Sequence, residues 1–246
     1  AASDVYKRQP QTRLVVLSHL LWNTGALLPI TAVSERLRAH LRQPWLLVDA
    51  AQSLGSVPVR EAAACADLYA FTGHKWCCGP EGLGAVVLSE RVLAEASPTL
   101  IGWRSLGDEG NAGSGWHQDG RRFEVATSCV PLQAGLECSL DLLEAVGSDQ
   151  ERLALVQGAS GRLWRGLQAI PGVEPLLLQE PQAGLVSFQV QGQTPASVVR
   201  ELGAQGLWIR SLEDPHCLRA CTHITTTDAE IQRLLDALTV LARPLA

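Results

Sequence analysis

The chain contains no methionine, and nowhere do its lysines and arginines gather into a run. With 20 Lys and Arg against 25 Asp and Glu, the net charge is -5, and scattered basic residues do not track a phosphate backbone, so no nucleic-acid partner is expected. No apolar stretch reaches membrane-spanning length. Leu14–Leu21 and Leu46–Val48 are the size of buried strands instead. A disulfide framework is also missing: the seven cysteines are odd in number and irregular in spacing. No pair of C-x-x-C motifs marks a metal site, and the side chains of the adjacent Cys77 and Cys78 do not converge on one ion. Reduced thiols imply a cytoplasmic setting. Residues 1–9 (AASDVYKRQ) carry neither an apolar core nor a periodicity, which excludes a signal peptide. They read as a non-native lead before a chain already in mid-fold, with its natural N-terminal part missing.

What is present suits a packed α/β protein: 46% of the 246 residues are hydrophobic and 18% charged. Arg13–Ser18 is β-branched and apolar, a buried strand ending at His19. Thr31 caps a helix with apolar Val33, Leu37 and Leu41 at four-residue spacing. Trp45–Val48, Asp67–Phe71 and Gly84–Leu88 read as further strands. Strands alternating with helices give a mostly parallel sheet, where ligands gather at the carboxyl ends of strands. Asp49 and Lys75 fall at two such ends. The segment Gly102–Gly120 has no period and is long for a connection, which marks a functional loop. Pro131–Val146 is a helix with Leu132, Leu136, Leu140 and Leu143 on one face, and Ser148–Ile170 is another. The remainder reads strand, helix, strand, strand, helix, at Leu185–Val190, Pro195–Gln205, Leu207–Arg210, His216–Ala220 and Asp228–Leu241. This divides the chain into a larger part, 10–146, and a smaller C-terminal α/β domain, 147–246.

Three constellations carry chemistry. In Val48-Asp49-Ala50-Ala51-Gln52-Ser53 and Thr72-Gly73-His74-Lys75-Trp76, an acid and an amine end neighbouring strands. Pyridoxal-5′-phosphate (PLP) chemistry needs such a pair, an acid to keep the pyridine nitrogen protonated and an amine to bind the aldehyde and move protons. Gln52 could donate to the ring's phenolate oxygen, and Thr72 and His74 lie where a phosphate could sit. Spacing alone leaves a blander reading open, since a strand-ending Asp is often a turn former and Gly-His-Lys a solvated loop. The second constellation, Arg121–Ser128, reads as a polar strand entering a helix, with Thr127 and Ser128 at a cap that could bind phosphate. The third contains Arg219, a charge inside an apolar strand, which is costly unless paired. A bidentate arginine suits a substrate carboxylate; an edge-strand surface position is the plain alternative.

The segments VDAAQS and DLYAFTGHKWCCGPEGLGAVVL closely resemble the cofactor-lysine region of class V aminotransferases, the family of cysteine desulfurases, isopenicillin N epimerase-like proteins and cyst(e)ine C–S lyases. The resemblance runs from about Thr12 to the C-terminus. It implies the PLP-dependent transferase fold type I: a large domain with a mostly parallel sheet, a small C-terminal α/β domain, and a homodimer with its sites at the subunit interface. By the same resemblance Lys75 is the Schiff-base lysine, Asp49 the pyridinium partner and Gln52 the donor to the phenolate oxygen. Thr72 and His74 flank the phosphate, and Thr127 reaches the phosphate of the partner subunit's cofactor. Asn23 lies near substrate and ring, and Arg219 holds the substrate carboxylate.

Within that family a desulfurase needs a mobile cysteine between the strands of Arg210 and Arg219. Here that connection, Ser211–His216, has none, and Cys217 lies within the following strand. The residues TGHKWCCGP, GWRSLG, WHQDGRRFEVATS and IRSLEDPHCLRAC are instead most similar to cyst(e)ine C–S lyases, which implies α,β-elimination from cystine or cysteine to pyruvate, ammonia and a persulfide or sulfide. Cys77 and Cys78 are expected to pack locally. Other activities of the family, or an inactive truncated chain, remain the alternatives. Before Asp49 the only glycine is Gly25, so no Gly/Ser/Thr-rich turn for the main phosphate cradle is found, and by the resemblance the ring-stacking aromatic would also lie upstream.

Overall fold

In a computed structural model, which describes residues 11–108 and 111–242, the chain separates into two units. The expected lead, 1–9, lies outside the described residues. Of the described residues, the first unit holds those up to His19, Pro29–Ala51 and those of Val59–Asp141; the second holds Leu20–Leu28, Gln52–Pro58 and those from Leu142.

In the first unit, strands β1 (Leu14–Ser18), β2 (Trp45–Asp49), β3 (Leu68–Thr72) and β4 (Gly84–Leu88) form one sheet in that order. The β1–β2 and β2–β3 pairs are parallel, while β4 returns antiparallel to β3. The mostly parallel sheet follows from β-branched and apolar runs joined through helices α1 (Ile30–Arg38) and α2 (Arg60–Cys65). The pairing sets Ser18 beside Asp49 and Asp49 beside Ala70. Sequence periodicity misplaces α1. Thr31 lies within the helix, Pro29 occupies the cap without a side-chain bond, and Leu41 is 95% exposed beyond the helix end. The helix stops at Arg38 and Gln43 takes a positive φ ahead of Pro44, so the four-residue spacing does not continue. Two short helices, α2 and α3 (Glu90–Glu95), have no clear periodic signal in the sequence.

The loop read at Gly102–Gly120 is built around 3₁₀ turns at Trp103–Ser105 and Ala112–Ser114, and a third, Gly120–Phe123, follows. That last turn replaces the polar strand expected at Arg121. It is fixed by Asp119, whose carboxylate accepts from the Arg121 backbone N–H and pairs with its guanidinium at 2.8 Å. These bonds hold the Asp119 carboxyl down at about 2. Helix α4 (Val130–Val146) begins with the Cys129 carbonyl accepting from Leu132 and Gln133, so Thr127 lies upstream of the cap instead of in it.

The second unit builds its sheet in the order β5 (Val173–Pro175), β6 (Leu185–Val190), β8 (Cys217–Cys221), β7 (Arg210–Leu212), antiparallel throughout. Helices α5 (Asp149–Gln168), α6 (Pro195–Gly203) and α7 (Asp228–Leu241) share a core with it that includes Leu163, Leu167, Phe188, Leu202, Leu218, Ile231 and Leu238. Each helix starts where its sequence demands. Ser148 with Glu151 and Thr227 with Glu230 form reciprocal capping boxes, and Thr194 caps α6 with Pro195 in its first turn. The capping bonds stabilise the charged glutamates and lower both carboxyl pKa values. Strand β7 lies later than the apolar run Leu207–Arg210 suggests, because pairing with β8 sets it at Arg210–Leu212.

Buried His19 follows β1. Its N–H donates to the Asp49 carbonyl, and its Nδ1 shares a 2.8 Å hydrogen bond with the Tyr69 hydroxyl. Burial lowers its pKa, because the imidazolium loses hydration. The folded state therefore binds fewer protons here than the unfolded chain. This contribution to stability is complete above the unfolded value of about 6.5 and is lost as pH falls from there through the lowered folded value. Thermal melts are expected to show stability declining over that window, and His19→Gln to flatten the decline. An unchanged slope would exclude His19 as its source.

Candidate functional site

Asp49 ends β2 with its carboxylate exposed. Its Oδ1 accepts from the Ala51 N–H at 2.9 Å and its Oδ2 from the Ser18 hydroxyl at 3.4 Å. The carboxylate is thus oriented from two sides by groups beside it at the strand ends, and it remains open to a cationic or N–H ligand. Gln52 is half-buried and belongs to the second unit.

Lys75 sits in the turn that joins β3 to β4. Gly73 N–H donates to the Leu83 carbonyl, Cys78 N–H to that of Lys75, and Gly79 N–H to that of Gly73, which closes the turn upon itself. Glycine is needed at its base. A Cβ on Gly84 would lie 2.4 Å from the Phe71 carbonyl oxygen, inside any real contact distance. The Lys75 side chain is exposed and makes no hydrogen bond or ion pair among the described residues. Of the two cysteines expected to pack beside it, only Cys77 is buried; Cys78 is exposed with a φ of 55°. The chain must reverse there, and the left-handed backbone turns the Cys78 side chain outward.

Thr72 and His74 share a 2.6 Å hydrogen bond between Oγ1 and Nδ1. In either tautomer one donor is left over: His74 Nε2–H if the hydroxyl donates, the Thr72 O–H if the ring does. The pair can therefore offer a hydrogen to an anion next to the lysine. Thr127 is exposed in the same unit.

Asn23 and Arg219, far apart in sequence, meet in the second unit. Arg219 lies mid-strand in β8, opposite Ser187 of β6 and Arg210 of β7. It is half-buried, and its Nη1 donates to the Trp22 carbonyl at 2.6 Å. The neighbouring Asn23 carbonyl accepts from Ser187 Oγ at 2.5 Å, and Asn23 Nδ2 donates to the Asp214 carbonyl at 3.0 Å. Cys217 and Cys221 share the Arg219 face of β8, as strand alternation requires. Burial pushes both thiols up, against a downward pull from Arg219. Cys217 is fully buried.

Gly25 lets this segment lie against the sheet. Its φ is +79°, and a Cβ there would stand 2.4 Å from the Leu185 carbonyl oxygen. Gly25→Ala therefore has both a backbone strain and a backbone clash to relieve. It is expected to cost about 2 kcal/mol or more of stability, seen as a lower denaturation midpoint at unchanged m-value. A midpoint equal to the parent's would show that the segment does not lie this close.

Trp22 and Ser187 carry no distinguishing signal in the sequence. Arg210 alone could be found there, since a short hairpin that pairs Leu212 with Cys217 must also pair Arg210 with Arg219.

The family profile described as Aminotransferase class-V matches residues 4–234. The solved complex of the cystine C–S lyase C-DES with its reaction product cysteine persulfide is 43% identical, covering 97% of this chain and 64% of that one, with a TM-score of 0.88. A probable cysteine desulfurase of Pseudomonas aeruginosa is 32% identical, across 93% of this chain and 58% of its own length. An isopenicillin N epimerase of Amycolatopsis lactamdurans is 29% identical, across 95% and 61% respectively. The chain thus spans about three-fifths of each of these proteins.

Proposed function

Because the chain belongs to the class V aminotransferases, with their fold type I architecture, we propose that the protein is a PLP-dependent C–S lyase acting on cystine or cysteine. The observation that carries this choice is the β7–β8 hairpin. It presents Arg219 mid-strand, has no cysteine in its turn, and buries the nearest thiol, Cys217, in β8. A thiol held there, with its pKa raised, is poorly placed to attack a substrate sulfur. The likeness to a cystine C–S lyase at 43% identity supports the same reading.

The residues fit the cofactor. An open carboxylate ends β2, an unengaged amine stands in the turn after β3, and Thr72 and His74, which leave one donor over, lie next to it in the chain. In this reading Asp49 holds the proton on the pyridine nitrogen and Gln52 donates to the phenolate oxygen. Thr72 and His74 bind the phosphate, as does Thr127 from across a homodimer. When bound, PLP draws electrons from the α-carbon of an amino acid and so eases loss of its proton. Lys75 would hold the cofactor's aldehyde carbon, and its amine would serve as the base for the α-proton. Arg219 pairs with the substrate carboxylate, Asn23 orients the substrate beside it, and Arg210 adds positive charge suited to the second carboxylate of cystine. In sum, cystine and water give pyruvate, ammonia and cysteine persulfide.

The larger part, 10–146, then belongs to the PLP-binding domain, and 147–246 is the small domain. A homodimer accords with the exposed apolar residues Leu100, Ile101 and Val130 of the first unit, at 76%, 55% and 66% exposure. Sedimentation equilibrium is expected to return twice the protomer mass.

Supplying the PLP-loaded protein with cystine tests the activity. Pyruvate and ammonia in equal amounts, with persulfide, are expected. Alanine in place of pyruvate would mean that sulfur leaves while the amine stays, which is a desulfurase outcome and would overturn the lyase reading.

A further inference from the structure

Segment Leu20–Leu28 is fastened to the second unit's sheet and to its β7–β8 turn at four points. Asn23 O accepts from Ser187, Asn23 Nδ2 donates to Asp214 O, Trp22 O accepts from Arg219, and Gly25 lies against Leu185. Ser187 and Arg219 are direct register partners on β6 and β8, so consecutive residues of the segment grip opposed residues of one strand pair. The Trp22 carbonyl is thereby fixed over Arg219. The Trp22 ring is placed there too, with the guanidinium carbon 5.9 Å from its centroid. This tryptophan remains 48% exposed, which a residue that merely filled the core would not be. A guanidinium is attracted to the ring face within about 6 Å. The carbonyl takes one Nη1 hydrogen, and Nε is buried without a hydrogen-bond partner. The Trp22 carbonyl and ring, with the Cys221 thiol as a second side-chain partner, thus constrain the guanidinium.

We propose that Trp22 is the positioning residue of Arg219: carbonyl and indole together hold the guanidinium in the one orientation that receives a substrate carboxylate, so Trp22 governs affinity for that carboxylate and not the proton transfer at Lys75. This rests on the reading of Arg219 as the carboxylate-binding group. Trp22 does not touch the reacting atoms, and its removal frees a side chain with several rotatable bonds. Ordering such a side chain again costs binding free energy at each turnover.

The test compares Trp22→Leu, Trp22→Phe and Arg219→Met in the full-length holoenzyme, with far-UV circular dichroism and PLP content as controls for folding. Trp22→Leu keeps apolar bulk and the backbone carbonyl but removes the ring. It is expected to raise KM for cystine by about three- to thirty-fold while kcat stays within about twofold. Trp22→Phe restores most of that loss. A second readout is independent of turnover: the rate at which phenylglyoxal modifies Arg219, followed by peptide mass. It is expected to rise in Trp22→Leu and to return towards the parent rate in Trp22→Phe. Equal KM and labelling in all Trp22 variants, or a fall in kcat at constant KM, overturns the proposal. If Arg219→Met raises KM and Trp22→Leu does not, positioning fails and the carboxylate reading stands. If Arg219→Met leaves KM unchanged, the carboxylate reading itself has failed. Should Trp22→Leu not fold, Trp22→Met takes its place under the same criteria.

Discussion

Replacing Lys75 with alanine is expected to abolish the visible absorption of protein-bound PLP that survives dialysis, and to lower the rate of pyruvate formation at least about a thousandfold. The magnitude follows from two losses at one atom. The amine that anchors the cofactor is gone, and so is the base that removes the α-proton; general-base catalysis alone contributes about 10²- to 10⁴-fold. The fold has little reason to respond. Lys75 is exposed, its side chain has no partner among the described residues, and the turn around it is closed by backbone bonds from Gly73, Cys78 and Gly79. The thermal midpoint of the cofactor-free protein should therefore stay within about a degree of the parent's. That combination separates a catalytic role from a structural one. Absorbance retained after dialysis would show that another amine holds the cofactor, and a large fall in the midpoint would mark Lys75 as structural.

Much of this arrangement was legible in the sequence, and what was not has physical causes. The strand ends bearing Asp49 and Lys75 could be read because β1 to β3 are short, apolar and parallel, so their carboxyl ends coincide on one sheet edge. Helices α5, α6 and α7 announce themselves through Ser148, Thr194 and Thr227. Helix α1 misleads because propensity and spacing run on past Arg38, while the backbone needs a positive φ at Gln43 to enter β2. Cys78 misleads for a related reason: residue type suggests packing, but the turn geometry decides which way the side chain points. The Trp22–Arg219 contact lay out of reach, since it joins positions distant in the chain through register between two strands and a loop laid over them. Local patterns carry no such information.

The second large effect concerns Arg219. Arg219→Met should reduce kcat/KM for cystine about a hundredfold or more, chiefly through KM, because truncating one partner of a hydrogen-bonded charge pair costs about 2–5 kcal/mol. Arg219→Lys should recover only part of this. Lysine keeps the charge but is a point donor, whereas the guanidinium can bond the Trp22 carbonyl and a carboxylate at the same time through hydrogens fixed in one plane. The carboxylate reading also predicts which substrates feel the change. An amino-acid ester, lacking the anionic oxygens, should bind almost equally to parent and variant, while the free acid should separate them. Comparing the two ligands by equilibrium binding to the PLP-loaded protein isolates the pair from any general loosening of β8, which would weaken both alike. Were ester and acid to lose affinity together, Arg219 would be a structural group held by its bond to the Trp22 carbonyl. Recognition of the substrate carboxylate would then fall to another cation, for which Arg210, directly opposite on β7, is the nearest by register.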